Sequence, residues 1–244
     1  GAHEYARSRN IILKGDIPIG ISRDGVEAWV EPRYFNLNGQ AGAPPDAFTT
    51  KGQNWGLPTY NWDAMLADGC SWWVRRFRNM AEYFDAFRID HVLGFFRIWQ
   101  IPVDALHGLL GYFNPALPFS PEEMRHNYDF WLNADLQAHP LILEWMLTDF
   151  FGEHTQEAKE RFLEHTGGDR YRLKDFVNTQ VKVAEYFATQ EKNEKNDRLC
   201  NALLGLIDDV LFIEDPEQRG KYHPRISAQF TYQYLSLIHI SEPT

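Results

Sequence analysis

The stretch "FDAFRIDHVLGFFRIW" (residues 84–99) sets an arginine, a carboxylate and an imidazole inside an aromatic and aliphatic run. Read as a strand, it alternates. Ala86, Arg88 and Asp90 take one side, and Phe87, Ile89 and His91 the other. Just before it, Trp73, Phe77, Met80 and Phe84 recur at helical spacing, while Arg75, Arg76, Arg78 and Glu82 fall mostly elsewhere on the wheel. That spacing predicts a helix over 71–83. A helix running directly into a strand is a β/α unit, so the chain is expected to be α/β.

Arg88 and Asp90 then sit near the end of a strand, on one side. In a closed barrel both would point to the axis at the mouth. A buried arginine there lowers a carboxylate pKa and fixes its orientation through a bidentate pair. A glycosyl nucleophile needs that, because it attacks an anomeric carbon in line. A structural Arg–Asp pair beside a satisfied histidine explains the tetrapeptide equally well. His91 faces away at strand level, but the strand ends there and a loop can turn it back.

Working outward, "NIILKGDIPIG" (10–20) is an isoleucine-rich strand candidate stopped by Pro and Gly. It holds Asp16, an acid that is expensive to bury unless paired. Either it supports a site or it caps a local turn. Residues 36–63 carry Gly and Pro throughout with little periodicity, and read as a long, ordered, irregular loop. Within it, Gln53 and Asn54 offer paired donors and acceptors, Trp55 offers a stacking face, and Asp46 and Phe48 lie close by. The alternative is a well-packed loop with no ligand.

Further on, "SPEE" (120–123) reads as a helix start, with Ser120 as cap, Pro121 in the first position and Glu123 closing a capping box. Residues 155–168 read as a helix ended by glycine. "FVNTQVKVAEYFATQ" and "LCNALLGLIDDVLF" are two more amphipathic helices, and 214–225 is a polar loop. The second half therefore reads as a mostly helical insertion, about 103–210, or as the flank of a barrel.

Composition narrows the function classes. The chain has 244 residues and a formal charge of −10, which disfavours nonspecific nucleic-acid binding. The strongest basic cluster, "WVRRFRN" (73–79), reads as the wet face of the helix. Cys70 and Cys200 are the only cysteines, too few for a disulfide framework, so a reducing compartment fits. No signal peptide opens the chain, no apolar run is long enough to span a bilayer, and the first ten residues read like the inside of a helix, so the sequence is expected to start mid-domain. Aromatic residues make up 15%, with eight Trp and eleven Tyr, amphipathic groups suited to sugar rings. Phosphate-loop, His-Glu-x-x-His and Gly-x-Ser-x-Gly signatures are absent, and the nine histidines show no metal-ligand spacing.

Three tracts resemble one family in order and spacing: "GDIPIGISRDGVEAW" (15–29), "AGAPPDAFTTKGQNWGLPTYNW" (41–62) and "FDAFRIDHVLGFFRIWQIP" (84–102). They resemble the 4-alpha-glucanotransferases, the amylomaltase and disproportionating-enzyme family (glycoside hydrolase family 77). The "FIEDPEQRGKYHPR" segment is similar to the plant cytosolic branch and its bacterial relatives. The resemblance covers about residues 1–235. It implies a (β/α)8 TIM barrel with helical insertions, present here only in part. It implies transfer of α-1,4-glucosyl or glucanosyl units among maltose, maltodextrins and other α-glucans, in the cytoplasm, with no cofactor, no metal, no nucleic acid and no membrane partner. By the same resemblance Asp90 is the catalytic nucleophile and Arg88 its partner. Asp16 is the acid of an earlier strand and His91 a sugar-subsite residue. Residues 43–55, with Asp46, Phe48, Gln53, Asn54 and Trp55, form a lid over the acceptor side. The chemistry implied is a retaining double displacement.

Two departures stand out. Ala47 occupies the place where the family carries Tyr, which predicts weaker acceptor binding and more hydrolysis. The family's Gly-Glu-Asp-Leu-Gly motif, with its acid/base Glu, and its later His-Asp motif do not occur. Glu144 and Glu214 lack the context to replace them. This polypeptide is therefore expected to lack useful transferase activity alone. Residues 236–244 are unlike the family and are expected to be non-native. Two rival readings stay open: an α-glucan hydrolase of the amylase clan, and a non-catalytic glucan-binding protein.

Overall fold

A computed structural model describes residues 1–225, so the expectation for residues 236–244 lies outside the described residues. Strands occur at β1 (Lys14–Ile17), β2 (Phe35–Ala43), β3 (Gln53–Tyr60), β4 (Ala86–Ile89), β5 (Ile98–Pro102), β6 (Tyr112–Asn114), β7 (Ile142–Leu143), β8 (Leu163–Gly167), β9 (Arg170–Leu173), β10 (Phe212–Glu214) and β11 (Tyr222–Pro224). The chain divides into two compact units. Of the described residues, the first comprises Gly1–Ala43, Asn54–Gln100 and Phe113–Pro115, and the second comprises Pro44–Gln53, Ile101–Tyr112 and residues 116–225.

The first unit grows from the β/α join. The helix Ser71–Ala81 buries Trp72 and Trp73 and packs Phe77 and Met80 into an aromatic core with Tyr34, Tyr60, Met65 and Ile17. The chain then enters β4, which pairs in parallel with β1. β1 alternates as its sequence dictates, with Gly15 and Ile17 buried and Lys14 and Asp16 exposed. Gly15 has to lack a side chain, because a Cβ there would meet the Phe84 ring at 2.5 Å.

Asp85 sets the start of this ladder. It receives the Leu13 N–H on Oδ2 at 3.1 Å, Arg7 Nε on Oδ1 at 2.6 Å and His3 Nε2 at 3.1 Å. Its own N–H returns to the Leu13 carbonyl at 2.8 Å. The Leu13 N–H, His3 and Arg7 together hold its carboxyl down at about 2.

Residues 36–63 are not the irregular loop expected. They contain most of β2 and all of β3, in a sheet of order β3-β2-β5-β6. One of the glycines that suggested a loop serves close packing instead. A Cβ on Gly39 would lie 2.7 Å from the Gln100 side-chain carbonyl carbon. Gln100 Oε1 in turn accepts from Thr59 Oγ1 at 2.7 Å and from Asn114 Nδ2 at 2.8 Å, which satisfies a buried amide across the sheet.

The second unit packs the helices Leu147–Phe151, Thr155–Phe162, Gln180–Ala188 and Glu194–Asp208 around Leu147, Phe151, Phe162, Val183, Leu199 and Leu203. The capping box forms at the helix Pro121–Tyr128, with Ser120 Oγ accepting from the Glu123 N–H at 3.2 Å. Two expectations change. The helix over 155–168 stops at Phe162, and Leu163–Gly167 becomes β8, paired antiparallel with β9. Gly167 and Gly168, at φ 119° and 61°, make the hairpin turn rather than a helix cap. The polar loop 214–225 is also a hairpin in part, with β10 antiparallel to β11 and a buried Asp215–His223 pair at 2.7 Å.

The (β/α)8 TIM barrel with helical insertions is corrected. The described residues form four small sheets, of two, two, four and three strands, and none closes into a barrel. Closure needs every strand hydrogen-bonded on both sides. Among the described residues β1 and β4 pair only with each other, and each has an edge without a described partner strand. The short link 44–52 between β2 and β3 leaves no room for the crossover helix that parallel neighbours require.

Candidate functional site

β1 and β4 run in parallel with Asp16 opposite Arg88. Alternation puts both side chains on one face, and they meet. Arg88 Nε donates to Asp16 Oδ1 and Arg88 Nη2 donates to Asp16 Oδ2, both at 2.7 Å. The expected partner of Arg88 was Asp90; the guanidinium closes on Asp16 instead. The pair is also not buried, since the two side chains are 59% and 58% exposed. Without a surrounding barrel this face of the two-stranded ladder meets solvent.

Asp90 follows the last residue of β4, Ile89. Its N–H donates to the Ile17 carbonyl at 2.9 Å, so the ladder holds its backbone one step past the strand. Its side chain is exposed, and its carboxylate makes no hydrogen bond or ion pair among the described residues. An acceptor held in place by its backbone and left open at its carboxylate can meet an incoming electrophile.

His91 adopts the left-handed conformation, φ 48°, and turns the chain sharply. Its ring lies 5.1 Å from the Trp55 ring at 80°, an edge-to-face contact. Gly94 makes that turn possible. A Cβ there would come within 2.6 Å of His91 Cδ2 and 2.8 Å of Ile19 Cδ1. Sequence reasoning missed Gly94 as a support for the imidazole. The sign was available, since a lone glycine in an apolar run often marks a close approach.

The lid residues divide. Asn54 and Trp55 lie on β3 in the first unit, where Asn54 Oδ1 caps the Gly56 N–H at 2.9 Å. Asp46, Phe48 and Gln53 fall in the second unit. There Asp46 is a turn residue. Its Oδ1 accepts from the Thr49 N–H at 2.6 Å, the Phe48 N–H at 2.8 Å and Thr49 Oγ1 at 2.9 Å. These donors, the Thr49 N–H first, hold its carboxyl below the usual range. Phe48 is 96% exposed. Glu144 is bound by Lys159 Nζ and the Tyr171 hydroxyl, which hold its carboxyl low and do not suit it to act as an acid. Among the described residues no cluster of three or more His, Cys, Asp or Glu could hold a metal ion, and no helix is long and apolar enough to cross a membrane.

Residues 1–208 match the sequence family described as 4-alpha-glucanotransferase. The 4-alpha-glucanotransferase DPE2 of Oryza sativa subsp. japonica is 41% identical over 242 residues, which is 97% of this chain and 25% of that protein. The chloroplastic/amyloplastic 4-alpha-glucanotransferase of Solanum tuberosum is 43% identical over 114 residues, 44% of this chain and 20% of that protein. An amylomaltase from Streptococcus agalactiae, solved in complex with acarbose, superposes with a TM-score of 0.45 at 21% identity, over 97% of this chain and 59% of that one. The chain thus spans a quarter or less of the length of these two curated relatives. With most of its residues inside the family match and near-complete coverage by the rice relative, the chain belongs to the 4-alpha-glucanotransferase family.

Proposed function

We propose that the chain carries the nucleophile half of a 4-alpha-glucanotransferase site acting on maltose, maltodextrins and related α-1,4-glucans. Asp90 attacks the anomeric carbon and forms a β-linked glycosyl ester while the leaving sugar departs. An acceptor hydroxyl then displaces Asp90, and the α configuration returns. Arg88 and Asp16 act as a clamp that holds the ends of β1 and β4, and so the Asp90 backbone, in register. Trp55 and His91 face the sugar ring and its hydroxyls.

The observation that supports this reading most is the open Asp90 carboxylate directly after β4, in a chain whose residues 1–208 match the family. The resemblance implies an acid/base Glu in a Gly-Glu-Asp-Leu-Gly motif that this chain does not carry. The two free thiols, Cys70 and Cys200, fit a reducing cytoplasmic setting.

A donor that needs no acid tests the reading on the chain itself. α-Maltosyl fluoride loses fluoride without protonation of the leaving group, and azide attacks the ester without a base. Incubation of both with the chain should yield α-maltosyl azide. Formation of the β-azide instead would show a single displacement. Its absence from folded protein would favour the reading as a non-catalytic glucan-binding protein.

A further inference from the structure

We propose that Arg23, Asp24 and Trp29 form a glucan-binding platform that nothing in the Asp16–Arg88–Asp90 constellation uses. The identity of the sugar rests on the family reading above; the platform itself rests on its own geometry.

An open cleft of about 400 Å3 is lined by Arg23, Asp24, Gly25, Val26, Ala28 and Trp29. Its floor is fixed. Ala28 is buried in the aromatic core and ties down the short helix Val26–Val30. The turn before it is tight, with the Gly25 N–H bonded to the Ser22 carbonyl at 3.0 Å, the same distance at which a Cβ on Gly25 would meet that oxygen. Arg23 is held too, since its Nη2 donates to the Gly39 carbonyl at 2.7 Å and its Nη1 to the Leu37 carbonyl. The guanidinium keeps further N–H donors in a fixed plane.

On this scaffold Trp29 is 84% exposed, with Val26 and Val30 beside it at 69% and 67%. Asp24 is exposed, and its carboxylate makes no hydrogen bond or ion pair among the described residues. A flat indole edged by one fixed donor group and one free acceptor group matches a pyranose, whose C–H face is apolar and whose rim carries hydroxyls. Other ligands match poorly. Asp24 repels a phosphate, a single carboxylate does not make a cation site, and a purely apolar partner would leave both charges unpaired on burial. The scaffold is ordered before binding, so little entropy is lost in forming the contact.

The test is isothermal titration of the chain with maltoheptaose, repeated on Trp29→Ala, Trp29→Phe and Asp24→Asn, each checked for folding by circular dichroism. The expected result is a loss of affinity of roughly tenfold for Trp29→Ala, a smaller loss for Asp24→Asn, and partial retention in Trp29→Phe. A Trp29→Ala chain that binds maltoheptaose like the original overturns the platform, as does a folded original chain that binds none. Concentration-dependent dimerisation abolished by Trp29→Ala, with glucan affinity unchanged, also overturns it and assigns the face to self-association. The Asp90 reading is scored separately, by adduct formation from α-maltosyl fluoride on the unaltered chain, so either assignment can fail while the other stands.

Discussion

Arg88 stands directly across the parallel ladder from Asp16 and grips both of its carboxylate oxygens at 2.7 Å. The grip is bidentate but largely exposed, so its contribution to stability is small, about 0.2–1 kcal/mol as for other surface pairs. Its value is positional, because it lies two residues before Asp90. Arg88→Lys keeps the charge and loses the fork. The variant should unfold within about 1 kcal/mol of the original. Its consumption of α-maltosyl fluoride should fall roughly tenfold, the rate equivalent of about 1.4 kcal/mol of lost positioning. Stopped-time fluoride release measures the rate, and urea unfolding measures the stability.

Gly94 lets the imidazole of His91 sit close to the turn. Gly94→Ala places a methyl 2.6 Å from His91 Cδ2 and 2.9 Å from Ile98 Cδ1, so the ring must move. The expected cost is about 1–3 kcal/mol, as for other overpacked sites. Urea unfolding reads the cost. Loss of the Trp55–His91 ring-current shift in the proton spectrum reads the displacement.

Asp85 predicts an acid limb. Its carboxyl is held at about 2, below its ordinary 3.8, by the Leu13 N–H, His3 and Arg7. The folded chain therefore binds this proton less readily than the unfolded chain. The support is complete above the ordinary value and drains away as pH falls from about 4 toward 2. Asp85→Asn should lower the thermal midpoint at pH 6 and leave a shallower decline between pH 4 and 2. Thermal melts across that range provide the check; parallel curves for the two proteins would remove the assignment.

Asp208 works in the other direction. Burial pushes its carboxyl up to about 6, against the pull of Lys51, Arg225 and the Gln180 amide. Gln180 is itself fully buried, and its Oε1 accepts from the Leu106 N–H at 2.6 Å. Here the folded chain holds the proton more tightly. Stability is greatest below about 4 and declines as pH rises toward 6. Asp208→Asn keeps an acceptor for Gln180 and removes the charge. The midpoint should rise by several degrees at pH 7.5 and change little at pH 4. A uniform shift at both pH values would contradict this.

What the sequence made legible was local. The capping box at Ser120 and Glu123 and the helix ending just before β4 depend on residues only a few positions apart. Pairing at a distance was not legible. Arg88 takes an acid 72 positions away, and no reading of the tetrapeptide could choose Asp16 over Asp90. β2, β3 and β8 were missed because their glycines read as loop punctuation, although Gly39 makes room for Gln100 and Gly167 turns a hairpin. The barrel expectation leaned on resemblance, and the described strands pair in small open sheets. Asp46 carried an overlooked sign, because an Asp three residues before a Thr favours a side-chain-capped turn.

The most direct measurement is mass mapping of the folded chain after brief exposure to α-maltosyl fluoride. With no base to release it, the glycosyl ester should persist. The protein should gain the mass of one maltosyl group, located in the peptide containing Asp90 and lost in Asp90→Asn. A maltosyl group on a different carboxylate, or a folded chain that gains none, would contradict the assignment of Asp90 as the nucleophile.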